Sequence, residues 1–315
     1  MSETVWREWA RRVAMAPGAV YALILLSLVF ALFTAQFLTL QNLTNVGMQG
    51  SVLVIVSLGM TLIILSEGID LSIGPVLGLA GVVLALAVKQ QVGLPLAILA
   101  AIVTGGLFGG LNGFLIARLG LPPFVVTLGT FGMAQGLALV LTEGSSVPGL
   151  GPAVQYFNDG RIAGLPVPIV LTAIAFLVVY TILYHTKFGT YVFALGGNQE
   201  ALTLAGVRTR LYKTVVYVLA GALAGVGALV MTARMNAAHP TVGVGLEFDA
   251  IASVILGGTS FERGKGWLVG TIIGALAVSV LRNGLNLIGL STSWQVSMVG
   301  TVIILAIVVD SLRGI

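Results

Sequence analysis

Apolar residues in this chain fall into long runs, and most polar residues sit in the gaps between them. A helix needs about 20 mostly apolar residues to cross a bilayer. Ten runs reach or approach that length: Gly18–Gln36, Val46–Ser66, Leu71–Val88, Leu94–Ala117, Pro123–Thr142, Pro166–Tyr184, Thr214–Thr232, Thr241–Ser260, Trp267–Leu281 and Trp294–Asp310. The pattern predicts an all-α integral membrane protein of about ten transmembrane helices. The first run is longer than the apolar core of a secretory signal, and no clear cleavage site follows it, so it reads as a retained span. The eighth holds Glu247 and Asp249 and is a candidate for a short or re-entrant segment.

Composition narrows the class. Of 315 residues, 57% are hydrophobic and 8% charged, against about 25% charged in an ordinary soluble domain. So few charges cannot cover a water-soluble particle of this size, and disorder requires the opposite balance. A soluble enzyme and a nucleic-acid binder are both set aside. The absence of cysteine removes disulfides and thiolate chemistry, and 42 glycines allow close helix packing in lipid.

The 15 Lys and Arg set the orientation. With the N-terminus inside, ten spans place Arg7, Arg11, Arg12, Arg118, Lys187, Arg208, Arg210, Lys213, Arg263, Lys265 and Arg313 in cytoplasmic segments. Lys89, Arg161, Arg234 and Arg282 fall outside. The excess inside follows the positive-inside rule and predicts both termini in the cytoplasm. Two connections are long: residues 143–165, external and rich in Gly and Pro, and residues 185–213, cytoplasmic and basic. The rest is tightly connected, so residues 1–315 form one membrane domain.

An offset of 171 residues aligns Asn112-Gly113 with Asn283-Gly284 and Gly129-Thr130 with Gly300-Thr301. It also carries spans 2–5 onto spans 7–10. A shift of five spans reverses direction, so this predicts an inverted repeat, a common transporter architecture with the pathway between the halves.

Polar groups inside the apolar runs are the candidate pathway residues. Glu67-Gly68-Ile69-Asp70-Leu71-Ser72 interrupts two runs; Gly68 can break a helix, Asp70 and Ser72 can cap the next, and Pro75 suits its first turn. The segment is either a polar junction at the cytoplasmic face or a place where Glu67 or Asp70 borders the pathway. Asn112, Thr127, Thr130, Gln135, Asn283, Asn286 and Gln295 are neutral and suit either a hydroxylated solute or helix–helix hydrogen bonding. Gly105, Gly109 and Gly113, Gly221 with Gly225, and Gly270 with Gly274 read as packing ridges.

The cytoplasmic connection contains Gly196-Gly197-Asn198-Gln199-Glu200-Ala201-Leu202-Thr203-Leu204-Ala205-Gly206. Asn198 is a good N-cap, Glu200 suits a first turn and Gly206 suits a helix end, so a short helix is expected over Gln199–Ala205. Its apolar residues have little to bury against, which points either to a docking partner or to a helix lying along the membrane surface. A phosphate-binding loop requires Gly, four residues, Gly-Lys and then Ser or Thr. The nearest approach, Gly258 to Gly264-Lys265, is one residue too long and continues with Gly266. His185 and His239 lie in separate loops, so no metal site and no cofactor are expected. Energy for active transport must come from another subunit or an ion gradient.

These residues resemble a known family. Glu67-Gly68-Ile69-Asp70-Leu71-Ser72-Ile73-Gly74, Pro123-Phe124-Val125-Val126-Thr127-Leu128-Gly129-Thr130, Ala194-Leu195-Gly196-Gly197-Asn198, and Asp249-Ala250-Ile251-Ala252 with Leu256-Gly257-Gly258-Thr259-Ser260 are similar to the membrane permease subunits of ABC-type monosaccharide importers, the ribose, xylose, arabinose and galactose group. The resemblance covers nearly the whole chain. It implies a bacterial inner-membrane location and a second permease copy or paralogue. It also implies cytoplasmic ATP-binding subunits and a periplasmic or lipoprotein sugar-binding protein. It further implies that Asn198, Gln199, Glu200, Ala201, Leu202 and Gly206 form the helix that couples to the ATPase. Leu202 departs from the second alanine that related permeases often carry. The competing readings are an ion-driven secondary transporter, which would need intramembrane carboxylates and no ATPase, and an ABC permease for a nucleoside or branched-chain amino acid. A membrane enzyme would need a catalytic cluster that this chain lacks.

Overall fold

A computed structural model describes residues 18–261, 264–291, 293–301 and 304. Arg7, Arg11, Arg12, Arg263, Arg313 and most of the C-terminal half of the tenth apolar run lie outside the described residues. The helices follow the apolar runs: α1 (Gly18–Phe33), α2 (Leu40–Leu65), α3 (Ile73–Lys89), α4 (Leu94–Leu119), α5 (Pro123–Thr142), α6 (Pro152–Asp159), α7 (Val167–His185), α8 (Lys187–Leu204), α9 (Thr209–Met235), α10 (Leu246–Leu256) and α11 (Leu268–Leu287). Residues 293–301 are helical as well. Among the described residues, six helices (α2, α4, α5, α7, α9 and α11) are long and apolar enough to cross a membrane, and α1 and α3 are shorter apolar helices. The structure is therefore that of an all-α membrane protein.

Helix boundaries follow local chemistry. Pro lies in the first turn of α4, α5 and α7, where its missing N–H costs nothing. Thr39 caps α2 by accepting the Asn42 N–H, and Gly120 ends α4 in the left-handed conformation. The short strands serve as clasps. β1 (Val147–Pro148), in the 143–165 connection, pairs with β4 (Ala237–Ala238), just past the end of α9. β2 (Arg161–Ile162) pairs with β3 (Leu165–Pro166) to close a small hairpin.

The long helix α2 is buried along most of its length, and with α9 it forms the centre of the molecule. α9 packs against α4 and α3; α2 packs against α11 and α10. α4 in turn packs on α3, and α11 on α10. Glycine makes the tightest of these contacts. A Cβ on Gly105 or Gly221 would run into the other's carbonyl oxygen, and one on Gly109 would meet the Tyr217 carbonyl. The ridges of α4 and α9 thus touch backbone to backbone, as small residues allow in lipid.

Two sequence expectations change. The eighth run, expected as a span over Thr241–Ser260, is helical only over the 11 residues of α10. The residues before it descend along α3 without helical structure: Gly78 faces the Pro240 carbonyl, and Gly74 meets Gly243. Gly245, at φ +95°, makes the turn into the helix. In the 185–213 connection, residues 187–197 are helical and not an open loop, continuing as α8 up to a break at Asn198.

Candidate functional site

The junction between α2 and α3 gathers several buried polar residues. α2 ends at Leu65, Glu67 takes a left-handed backbone (φ 55°), and α3 starts at Ile73. Ser72 occupies the N-cap position of α3 but makes no side-chain cap there. Its hydroxyl instead donates to Asp70 Oδ1 at 2.6 Å, alongside its own N–H at 2.7 Å. Asn112 Nδ2 on α4 donates to Ser72 Oγ at 2.9 Å, and Thr130 Oγ1 on α5 donates to Asn112 Oδ1 at 2.7 Å. The chain Thr130, Asn112, Ser72, Asp70 therefore runs in one direction and ends on a carboxylate. All four residues are buried. Tyr217 on α9 adds a bond from its hydroxyl to the Ile69 carbonyl at 3.2 Å.

The expected pathway residues divide into groups. Asp70, Asn112 and Thr130 come together in this network. Thr127, one turn before Thr130, is buried and bonds back to the Pro123 carbonyl at 2.9 Å. Asn283 lies elsewhere, on α11, where it exchanges two hydrogen bonds of 3.0 Å with Asn42 of α2. Glu67 and Asn286 are exposed. Asn112 and Asn283, aligned by the repeat offset, both sit in the C-terminal part of their helices but bond to different elements.

Sequence reasoning missed a second polar group. Asp249 on α10 and Arg282 on α11 form an ion pair at 2.7 Å. Glu247, in the first turn of α10, is buried; its Oε1 accepts the Gly245 N–H at 3.0 Å, and its Oε2 packs where a Cβ of Gly74 would stand. The only signal in the sequence was the appearance of two carboxylates inside an apolar run. Arg282, placed outside by its neighbours, lies 33 residues away from its partner. Among the described residues no three His, Cys, Asp or Glu side chains gather as metal ligands would.

In the 185–213 connection, the chain breaks at Asn198 (φ −164°, ψ 95°), whose Oδ1 accepts the Ala201 N–H at 2.8 Å. The short helix that follows ends in paired closing bonds, Gly206 N to the Thr203 carbonyl and Val207 N to the Leu202 carbonyl, with Gly206 at φ +81°. This is the Schellman pattern, and it requires the left-handed residue that glycine supplies. Lys213 Nζ bonds Gln199 Oε1 at 3.2 Å and so braces the helix on α9. Gln199, Glu200, Ala201 and Ala205 are exposed, and Leu204 is 84% exposed; Leu202 is half-buried. Just before the break, Gly196 lies against the Leu65 carbonyl and Gly264, so the base of this helix touches the end of α2 and the loop after α10.

Known proteins are similar to this chain over nearly its whole length. Residues 42–307 match the family described as branched-chain amino acid transport system / permease component. The ribose import permease protein RbsC of Escherichia coli (strain K12) is 40% identical over 97% of this chain and 96% of its own. The D-allose transport system permease protein AlsC of the same organism is 36% identical over 94% and 91%. The galactose/methyl galactoside import permease protein MglC of Haemophilus influenzae is 34% identical over 92% of each chain. No solved structure matches. Matched almost from end to end, and built of apolar helices around buried polar junctions, the chain belongs to this permease-component family and is a multi-pass membrane permease of the ABC-importer type.

Proposed function

We propose that this chain is the channel-forming subunit of an ATP-driven importer for a monosaccharide or related small polyol. The observation that carries the reading is the near full-length similarity to permeases of ribose, allose and galactose import. In this reading ten spans run with both termini in the cytoplasm, and spans 2–5 and 7–10 form an inverted repeat. The matched packing of α9 on α4 and α3, and of α2 on α11 and α10, supports it. So do the two helix starts, α3 and α10, that meet through Gly74 and Gly243. Half-helices meeting inside the membrane are a recurrent transporter device.

The candidate pathway set, Glu67, Asp70, Asn112, Thr127, Thr130, Asn283 and Asn286, shapes the route chiefly by holding these helix starts in place. The buried bonds of Asp70, Asn112 and Thr130 favour that role. The helix of residues 199–205 is the coupling element. Its exposed apolar side docks in a groove of a cytoplasmic ATP-binding subunit, and its base passes force to α2 and to the loop after α10. A second permease copy or paralogue and a periplasmic or lipoprotein sugar-binding protein complete the machine.

The test is uptake of labelled ribose, allose and galactose in cells stripped of their own importers. The permease is expressed with and without the ATP-binding and sugar-binding proteins, with unlabelled leucine as a competitor. Uptake that needs all three components, and that leucine leaves unchanged, is expected. Uptake by the permease alone that follows a proton or sodium gradient would overturn the reading.

A further inference from the structure

One face of α9 touches both the helix of residues 199–205 and the α2–α3 junction. Lys213 and Tyr217 stand four residues apart and therefore side by side on that face. Lys213 Nζ donates to Gln199 Oε1 at 3.2 Å, on the first residue after the break at Asn198. Tyr217, fully buried, donates its hydroxyl to the Ile69 carbonyl at 3.2 Å. Ile69 immediately precedes Asp70, where the chain of bonds from Thr130, Asn112 and Ser72 ends. The tip of the Tyr217 ring also lies against Gly68, in the space that a Cβ there would take. The turn between α2 and α3 is thus held on α9 within one helical turn of the bond to Gln199.

Lys213 has a second acceptor at hand. The Glu67 carboxylate acts on its ammonium electrostatically, yet the two form no ion pair among the described residues. The ammonium is bonded to a neutral amide while an opposite charge stands nearby, and opposite charges attract the more strongly. The flexible four-carbon stem of a lysine lets its ammonium exchange one acceptor for another. Glu67 is exposed and holds a left-handed backbone, φ 55°, without being glycine. Such backbone strain collects in switch segments.

We propose that Lys213 is a positioning residue that links the helix of residues 199–205 to the α2–α3 junction, bonding Gln199 in this conformation and Glu67 when that helix moves. This rests on the reading of residues 199–205 as the coupling element. Movement of that helix withdraws Gln199, the ammonium passes to Glu67, and the turn over residues 66–70 shifts with it. Tyr217 keeps the same turn on α9, so the displacement reaches the start of α3 and the bonded chain from Asp70 to Thr130. Glu67 serves here as a contact for coupling, whatever solute passes.

The assembled importer, permease with its ATP-binding subunits and the sugar-binding protein, is reconstituted in liposomes supplied with ATP. Labelled ribose, allose or galactose is used, whichever the wild type carries. Sugar entry and ATP hydrolysis are read on one sample, and their ratio does not depend on how much complex has folded. Lys213→Met keeps the apolar stem and removes the ammonium. It is expected to lower sugar entry per ATP about tenfold, the scale of one lost charge-assisted hydrogen bond. Lys213→Arg, which keeps the charge, should recover most of that loss. Glu67→Gln should lower the ratio as well, and the double variant Lys213→Met/Glu67→Gln should be no worse than the more severe single, because the two groups act on each other. A merely structural role would reduce both rates together and leave the ratio unchanged. A wild-type ratio in Lys213→Met or in Glu67→Gln overturns the proposal. So does a double variant whose losses multiply, or a failure of Lys213→Arg to recover the ratio. Sugar entry by the wild type without ATP overturns the importer reading itself, and the proposal with it.

Discussion

Gly74 and Gly243 lie so close that a methyl group on either would collide with the other's carbonyl oxygen. Gly74 is in the first turn of α3 and Gly243 in the non-helical segment that leads into α10, so the contact joins the starts of both helices. A change at either position must move backbone, not a flexible side chain.

Gly74→Ala and Gly243→Ala are therefore each expected to destabilise the folded protein by about 1–3 kcal/mol, the usual cost of overpacking. Gly136→Ala on α5, where a Cβ enters open space, serves as the control and should change stability little. Thermal unfolding in detergent reads the difference. Equal effects at all three positions would show that the close approach does not constrain the fold.

The reciprocal pair of Asn42 and Asn283 ties α2 to α11 by two hydrogen bonds. Asn42→Ala should cost about 0.6 kcal/mol and at most about 1.7 kcal/mol, the range measured for such bonds in membranes. The Asn42→Ala/Asn283→Ala double variant should cost less than the sum of the singles, because the second change removes a group already left unpaired. Strict additivity in the unfolding measurements would mean that the two amides act independently.

The helix of residues 199–205, proposed as the coupling element, gives a functional prediction. Ala201→Asp puts a charge on its exposed apolar side, and Gly206→Val forces a β-branched residue into the left-handed region. Both should abolish sugar uptake while leaving membrane insertion and sugar binding by the separate binding protein unchanged. Asn198→Ala removes the cap bond to Ala201 at a cost of about 1 kcal/mol and should reduce uptake only partly. Normal transport by the first two variants, with the ATP-binding subunit assembled, would remove this helix from the coupling path.

Orientation can be read with single cysteines in this cysteine-free chain. Ser146 and Leu204 are both exposed and stand on opposite sides of the expected membrane. A membrane-impermeant thiol reagent applied to intact cells should label Ser146→Cys and spare Leu204→Cys. The reverse pattern would invert the topology.

Spans with uniform apolar character were legible in the sequence: the fifth run coincides with α5, and the fourth starts with α4 at Leu94. The cap at Asn198 and the stop at Gly206 were legible too, because each uses a local hydrogen bond or a local backbone demand. The course of residues 237–245 was not. An apolar run rich in glycine reads the same whether helical or extended, and only burial against α3 decides between them. The helix over residues 187–197 was hidden by Gly189 and Gly196, which look like loop residues. They are there because the backbone passes close to the carbonyls of Leu183 and Leu65. Asp70, Asn112 and Thr130 were singled out individually, but their connection through Ser72 spans three elements and leaves no mark in local spacing. The pairing of Asp249 with Arg282 was unreadable for the same reason.

The brevity of α10 bears on how the protein is made. Eleven residues of helix rise about 16 Å, roughly half of the hydrocarbon core. The preceding stretch keeps backbone N–H and C=O groups outside any helix, and lipid offers them no partner. This part of the chain has no stable resting place as a newly synthesised segment facing the bilayer alone. It requires α3 and α2 to be present and already aligned, since α3 supplies the surface along which residues 240–243 lie. During biosynthesis the membrane must therefore accept α9, wait, and receive α10 late, as a piece fitted into an existing cleft.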